Sequence, residues 1–516
     1  MANPPDQTGG RADKDRHFNT DHLQANLARR SMRGGAITLT AQAVKVAAQT
    51  GAIVLLARLL SPDDFGLFAM IAAFLTVLEL FKDLGLSGAT VQRKEITDLQ
   101  VSTLFWMNTV LGAAATVLLA AAAPLLAWFY REPILIEITI VVSLSMLLTG
   151  AAAQHLALLR RQMRFSALAA VQTGAEVVAL AAAVVAAMNG FGIWSLVVQR
   201  LVWAGVSLLG AWAASGWVPG RPGRFSDVRS LVVFGGNATG AMLIGGVAAN
   251  LDRILIGWYW GAAPLGLFER SQKLMMMPIR NLNMPLASVA LPMLSRLVDQ
   301  PERYRRAYYM AAERLAMMFA PVTGLVVAGS GPLVELILGP QWSGAAPLLG
   351  WMGITAVYMP LTYTISWLYM SQDRTGEMVR ANLINTSMTL VILLVALPYG
   401  TVAIAAAFSL SGLLLRTPMM FYLVGRRGPI SLRDIAQILS VPAVAAVAAT
   451  AAVWAAGKYA TAELGIASPF PYVVLLTATA TATSVAIYLL FPGSRRVIIE
   501  TLRMPRMMLA DKTQQA

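Results

Sequence analysis

Apolar stretches of about 20 residues recur along this chain from residue 35 to residue 491, separated by short polar connections. A helix of that length crosses the hydrocarbon core of a bilayer, and only helices and closed barrels satisfy every backbone N–H and C=O there. Residues are 57% hydrophobic and 13% charged, against roughly a quarter charged in soluble domains. The fold class is therefore an all-α polytopic membrane protein. Fourteen spans are predicted, at 35–59, 64–86, 102–128, 133–154, 167–188, 192–214, 231–259, 264–290, 308–329, 343–370, 379–397, 401–425, 435–456 and 470–491.

The basic residues test this division, because Lys and Arg near span ends collect on the cytoplasmic face. With residues at span ends counted with the adjoining connection, 28 of 40 Lys and Arg residues fall on the two tails and alternate connections, 3 (Arg58, Arg131 and Lys458) on the opposite connections and 9 inside spans. The first set carries 14 acidic residues and the second 6. This alternation predicts both termini on the cytoplasmic side of a bacterial inner membrane. It also accounts for the net charge of +14 without nucleic acid as a partner.

The expected division is a disordered cytoplasmic tail over 1–33, an N-terminal lobe over 34–215, an inter-lobe cytoplasmic loop over 216–230, a C-terminal lobe over 231–427, appended spans over 428–492 and a cytoplasmic tail over 493–516. Two connections, Gly216 to Arg229 and Arg426 to Asp434, read as hinges. The first 33 residues hold no apolar run and do not form a cleavable signal peptide. Cysteine is absent, which excludes thiolate chemistry, and no G-x-x-x-x-G-K-[ST] loop is present for nucleotide phosphates. His17 and His22 lie in the tail, and His155 at a span end reads as an interfacial polar residue.

Internal repetition is visible at an offset of 200 residues, where Gly35 matches Gly235, Ala41 matches Ala241, and Gly66-Leu67-Phe68 matches Gly266-Leu267-Phe268. Phe191-Gly192 and Tyr399-Gly400 open the sixth and twelfth spans, which then carry Arg200 and Arg416. Spans 1–6 and 7–12 run in the same direction, as expected of parallel repeats about an axis along the membrane normal.

Several segments carry a family resemblance. They are Ala57-Arg58-Leu59-Leu60-Ser61-Pro62-Asp63-Asp64-Phe65-Gly66-Leu67-Phe68, Asp83-Leu84-Gly85-Leu86 and Leu158-Leu159-Arg160-Arg161-Gln162-Met163-Arg164-Phe165 in the first half. The second half adds Asn250-Leu251-Asp252-Arg253-Ile254-Leu255-Ile256-Gly257, Leu265-Gly266-Leu267-Phe268 and Leu291-Pro292. In order and spacing this set resembles the oligosaccharide flippases of the exopolysaccharide and colanic-acid type, within the multidrug/oligosaccharidyl-lipid/polysaccharide exporter superfamily. The resemblance covers residues 35 to 430. It implies a V-shaped pair of six-helix lobes that moves undecaprenyl-diphosphate-linked oligosaccharides between leaflets by alternating access. Lipid-linked oligosaccharide, membrane lipid, and a polysaccharide polymerase with its export machinery are the partners it implies.

Charges inside the spans are costly unless they face a cavity or a partner. Lys45 lies about 15 Å into span 1, with Gln42 and Gln49 on the same face. It reads either as a headgroup ligand or as a partner of Glu79 or Glu176. Span 8 carries Glu269, Arg270, Lys273 and Arg280. Its three basic groups are expected on about one face, a ladder suited to a diphosphate or an acidic sugar, with an ion pair through Glu269 as the structural alternative. Asp252 and Arg253 form a clamp or a gate, with Arg270 or Lys273 as expected partners of Asp252. Arg200 and Glu176 are expected to pair, while Lys82, Asp83, Glu313 and Arg314 read as interfacial. Lys45, Arg270, Lys273 and Arg280 are thus the candidate headgroup ligands. Glu79, Glu176, Arg200, Asp252, Arg253 and Glu269 are the candidates for gating or ion coupling. No cofactor or metal is expected, although Glu79, Glu176 or Asp252 are able to couple a proton or a sodium ion.

Two other classes compete. A multidrug cation exporter needs acidic or aromatic cavity groups, whereas the spans hold 9 basic against 6 acidic residues. A membrane glycosyltransferase, polymerase or ligase needs an elaborated outer loop, and the outer connections are short. The chain is therefore read as a transporter, not an enzyme.

Overall fold

The computed structural model describes residues 50–51, 53–83, 85–93, 95–224, 228–229, 246, 250–462 and 468–500. Among them the elements are α1 (Pro62–Asp83), α2 (Leu86–Gln92), α3 (Asp98–Tyr130), α4 (Leu135–Arg161), α5 (Phe165–Met188), α6 (Trp194–Ser215), α7 (Leu251–Trp260) and α8 (Ala262–Ser295). They continue with α9 (Pro301–Ile337), α10 (Ala345–Gly353), α11 (Thr355–Ser371), α12 (Thr375–Ala396), α13 (Thr401–Ser411), α14 (Thr417–Gly425), α15 (Leu432–Ala462) and α16 (Pro469–Leu490). A π turn, Gly412–Arg416, joins α13 to α14.

Ten helices among the described residues are long and apolar enough to cross a membrane, counting α13 to α14 as one, and an eleventh span arises if α10 and α11, bent by 56°, are taken together. Most of spans 1 and 7, the N-terminal tail and the C-terminal tail beyond residue 500 lie outside the described residues. At 34 residues and about 51 Å, α8 is long enough, but its charges set it apart from the apolar helices. The described chain divides into two compact units at Gly266/Leu267.

In the first unit, sequence signals set the helix ends. Ser61 and Asp64 form a reciprocal cap at the start of α1, with Ser61 N to Asp64 Oδ2 at 2.9 Å and Asp64 N to Ser61 Oγ at 3.2 Å. Thr97 and Gln100 do the same for α3. The Asp83-Leu84-Gly85-Leu86 motif is a helix break: Gly85 takes a left-handed conformation at φ 66°, which L side chains resist. The Asp83 carboxylate then accepts from the Ser87 hydroxyl at 2.5 Å and from Asn108 Nδ2 at 3.3 Å.

Close crossings depend on glycine. A Cβ on Gly112 of α3 would lie 2.8 Å from the Met146 carbonyl oxygen of α4, and one on Gly150 of α4 would lie 2.7 Å from that of Asn108. Gly66 and Gly266, 200 residues apart, show the same reciprocity. A methyl group on Gly66 would overlap the Ala262 carbonyl, and one on Gly266 would overlap the Pro62 carbonyl. The first turn of α8, which belongs to this unit, therefore crosses α1 backbone to backbone.

Two expectations need correction here. His155 is not interfacial but fully buried, its Nδ1 2.9 Å from Ser215 Oγ and its ring between Trp212 and Trp217 with Phe105 alongside. The described part of the 216–230 connection is no free hinge either. Trp217 Nε1 donates to Asp98 Oδ1 at 2.8 Å, Gly220 N to Ser102 Oγ at 2.9 Å and Gly223 N to Thr103 Oγ1 at 2.8 Å. These bonds satisfy backbone donors after α6 and bind the segment to the start of α3.

The second unit repeats a local device of the first. Met163 after α4 and Asp373 after α11 both adopt left-handed φ, 52° and 54°. In each case the following arginine N–H donates five residues back, Arg164 to Leu159 and Arg374 to Tyr369, both at 2.9 Å. The 426–434 connection is likewise tied down rather than hinge-like: buried Asp434 accepts from Arg305 at 2.6 Å, Tyr309 at 2.7 Å and Ser431 N at 2.7 Å.

α15 and α16 pack on α9 through Met317, Ala320, Ala445, Ala446 and Tyr488. Pro321 lies inside α9 and lacks the N–H that would reach the Met317 carbonyl. The Tyr488 hydroxyl supplies that bond at 2.7 Å. Tyr488→Phe should therefore lower stability by about 1–2 kcal/mol, the cost of leaving a buried acceptor unmet. Thermal unfolding in detergent measures it, and an unchanged midpoint would dismiss the bond's contribution.

Candidate functional site

Two polar regions interrupt the apolar interior, one within each unit. In the first unit, a cavity of about 540 Å³ is lined by α4, α5 and α6 with a contribution from Phe68 of α1. Its polar groups are Thr149, Arg160, Gln172, Glu176, Gln199, Arg200 and Ser207, with Trp203 beside them. On α6, Gln199, Trp203 and Ser207 follow at four-residue steps and so share one helical face. That periodicity is legible in the sequence, beside the more conspicuous charges.

Arg200 organises this cavity, although not with the partner expected. Its guanidinium pairs with Glu79 of α1, while Glu176 faces the same cavity from α5. Arg200 also reaches Ser145 Oγ at 3.4 Å and lies 5.1 Å from the Trp203 ring centroid. The correction has a geometric reason: periodicity places a side chain on a helix face, but which neighbouring helix meets that face is a tertiary matter. Lys82, expected to snorkel to the interface, is instead 7% exposed and donates to Thr149 Oγ1 at 2.5 Å. Glu79, Lys82 and Asp83 thus bring three charges from one helix into the unit's interior.

In the second unit the charges sit on α8. Glu269 is buried and binds Lys273 Nζ at 2.7 Å and Arg270 Nε at 3.5 Å. Arg270 is 9% exposed, whereas the Lys273 side chain is 49% exposed and Arg280 is exposed. The expected three-group ladder is therefore a two-group one. Lys273 and Arg280 lie within about 20° of each other around the helix, while Arg270 stands about 60–80° away, on the packed side with Ser271. The ion pair through Glu269 is also present, within α8 itself, and it takes in Lys273 as well as Arg270.

Arg253 of α7 donates to Asn250 Oδ1 at 2.8 Å, and its amide donates to Asp252 Oδ1 at 2.9 Å. This Asn250-Leu251-Asp252-Arg253 run forms the start of α7. Lys45, Gln42 and Gln49 lie outside the described residues. Arg416, noted in sequence only as an echo of Arg200, is buried in the π turn and donates to Thr389 Oγ1 at 3.0 Å and to the Phe408 carbonyl at 2.6 Å. A hydroxyl and a carbonyl take the place that Glu79 fills for Arg200. No group of three or more His, Cys, Asp or Glu suited to a metal occurs among the described residues.

The fold is similar to that of the lipid II flippase MurJ in an inward closed conformation, with a TM-score of 0.70 at 13% identity, covering 91% of this chain and 100% of that one. It is also similar to an inward-facing multidrug resistance transporter of the MATE family, at a TM-score of 0.57 and 12% identity over 74% of this chain and 94% of that one. At such identities the likeness concerns the fold alone. In sequence, the chain is 24% identical to the teichuronic acid biosynthesis protein TuaB of Bacillus subtilis over 54% of its length and 58% of that protein. It is 23% identical to the lipopolysaccharide biosynthesis protein WzxC of Escherichia coli, over 64% and 68% respectively. With the succinoglycan biosynthesis transport protein ExoT of Rhizobium meliloti it shares 25% identity over 61% of this chain and 64% of that one. The match thus spans little more than half the length of TuaB. A family model described as polysaccharide biosynthesis protein matches residues 55–347, which take in α1 to α9 and with them both polar regions. On that match this multi-pass helical protein belongs to the polysaccharide biosynthesis protein family.

Proposed function

We propose that this protein is a flippase. It moves undecaprenyl-diphosphate-linked oligosaccharide units from the cytoplasmic to the periplasmic leaflet of a bacterial inner membrane by alternating access, with both termini cytoplasmic. A polysaccharide polymerase and export machinery would take up its product. The observation that carries this reading is the exposed pair Lys273 and Arg280 on α8. They lie about 16 and 27 Å along a helix of about 51 Å, which puts Arg280 near its middle, beyond snorkelling reach of either end. An exposed charge at that depth needs a polar path or an anionic ligand beside it.

Glu269 supports the pair from the buried side of the same helix, holding Lys273 by its four-residue spacing. Family membership and the transport named for ExoT agree with an exported saccharide. Lys45 is the proposed ligand from span 1, and Glu79, Glu176 and Asp252 are the proposed ion-coupling groups. The protein is proposed to carry its cargo without covalent chemistry.

Lys273→Gln and Arg280→Gln should each lower transport at least tenfold while the protein stays folded in the membrane. Deleting the gene should leave the lipid-linked oligosaccharide on the cytoplasmic face. Wild-type transport by both variants would remove the site, and drug sensitivity without accumulated lipid would favour the cation exporter.

A further inference from the structure

A second basic feature lies at the far end of α8 and is not part of the Lys273–Arg280 pair. A cavity of about 640 Å³ opens between the last turns of α8 and the first turns of α9. We propose that this cavity is a docking site for the diphosphate of an isoprenoid-linked lipid, with Arg296, Arg303 and Arg306 on the phosphates and Val289, Met293 and Met310 along the first isoprene units. The inference rests on the flippase reading and deepens it, because it supplies a place where the cargo's anchor is held before translocation.

Charge distribution is the first support. The 296–306 connection carries four arginines. Arg305 is committed to buried Asp434 at 2.6 Å, whereas the other three line the cavity and no carboxylate lines it with them. Arg303 spends one donor on Gln300 Oε1 at 2.7 Å, leaving the rest of its guanidinium fork. Arginine forks match phosphate oxygens in paired hydrogen bonds. Three such groups in one pocket exceed the single negative charge of an ordinary phosphodiester lipid and suit two adjacent phosphates.

The apolar lining is the second support. Val289 is 68%, Met310 42% and Met293 36% exposed, although they flank a helix long and apolar enough to cross the membrane. A free phosphate would use the arginines and leave this wall bare. A lipid phosphate uses both, and basic pockets between membrane helices are where anionic headgroups bind. Flexible methionine side chains suit an unsaturated, branched chain of irregular outline. Arg296, at the residue after α8, then stands about 35 Å along the helix axis from Lys273 and about 24 Å from Arg280, so one helix links the docking arginine to the deeper pair.

The test uses the full-length protein in phosphatidylcholine nanodiscs with undecaprenyl diphosphate as the probe. The variant R296Q/R303Q/R306Q should bind it at least tenfold more weakly than wild type. Cardiolipin and phosphatidylglycerol in tenfold excess should not displace it. A diazirine-bearing isoprenoid diphosphate on the wild-type protein should crosslink to peptides holding Met293 or Met310, a readout that does not depend on the variant folding. Unchanged binding by the triple variant, or crosslinks confined to other helices, overturns the site, even if the wild type translocates. Equal displacement by cardiolipin or phosphatidylglycerol also overturns it, giving the pocket to bulk anionic lipid. Binding and crosslinking as expected in a protein that translocates nothing would uphold the site and remove the flippase reading.

Discussion

Gly266→Val should leave little folded protein in the membrane. Even a Cβ at this position overlaps the Pro62 carbonyl, and the reciprocal Gly66 faces the Ala262 carbonyl. Both obstacles are backbone, so no side-chain rotation relieves them and α1 must separate from the first turn of α8. The expected loss is about 3 kcal/mol or more, at or beyond the upper range for overpacking. Gly66→Val should behave alike. Gly88→Ala, whose added carbon meets nothing within 4 Å, serves as the control and should be neutral or slightly stabilising. Fluorescence-detected size exclusion of membrane extracts compares the three. A monodisperse Gly266→Val protein at wild-type yield would refute the backbone crossing.

Arg200→Gln is the second substitution expected to act strongly. It leaves the Glu79 carboxylate inside the unit without the guanidinium that pairs with it. Removing one member of a buried pair costs about 3–5 kcal/mol, whereas replacing both with neutral groups often costs little. Glu79 is about a third exposed, at 35%, so water reaching the cavity should bring the loss to the lower end of that range. The double variant Glu79→Gln/Arg200→Gln should therefore regain most of the stability lost in the single one. Thermal midpoints of the four proteins complete the cycle. A double variant as unstable as the single would show that Arg200 acts through Ser145 and Trp203 rather than through Glu79.

The first-half family segments became specific structural devices. Asp83-Leu84-Gly85-Leu86 is a left-handed break at Gly85 with Asp83 bonded to Ser87 beyond it, and Leu158 to Phe165 ends α4 with Met163 in a left-handed turn. Buried Arg161 in that run donates to the Thr90 carbonyl at 3.0 Å and to that of Arg93 at 2.5 Å. Its positive charge thus meets the C-terminal end of α2, where exposed carbonyls concentrate negative potential. The sequence marks such positions because glycine and capping side chains act on their own few residues.

Partner choice was less legible. Arg200 and Glu176 both carry the marks of a buried pair in the sequence, yet the carboxylate that meets Arg200 comes from α1. Lys82 looks like a snorkelling lysine at a helix end until Thr149 is found beside it. Arg270 shares its helix with Lys273 and Arg280 but turns toward the packed side. In each case helical periodicity sets a direction within about 20–30°, and what stands in that direction depends on crossings between helices far apart in sequence.

Hydropathy period determined the helical membrane class and the near-terminal bounds of most helices, and the alternation of basic residues gave the expected side of each connection. These properties follow from local transfer energies and from charge near span ends, which act on short segments one at a time. The tertiary structure alone decided that the 216–224 segment is bound to α3, that His155 sits among tryptophans, and that three of four arginines in one connection face a common cavity. Those outcomes depend on which helices approach closely enough for backbone and side chains to meet, and in the first unit the glycines at 66, 112, 150 and 266 permit that approach.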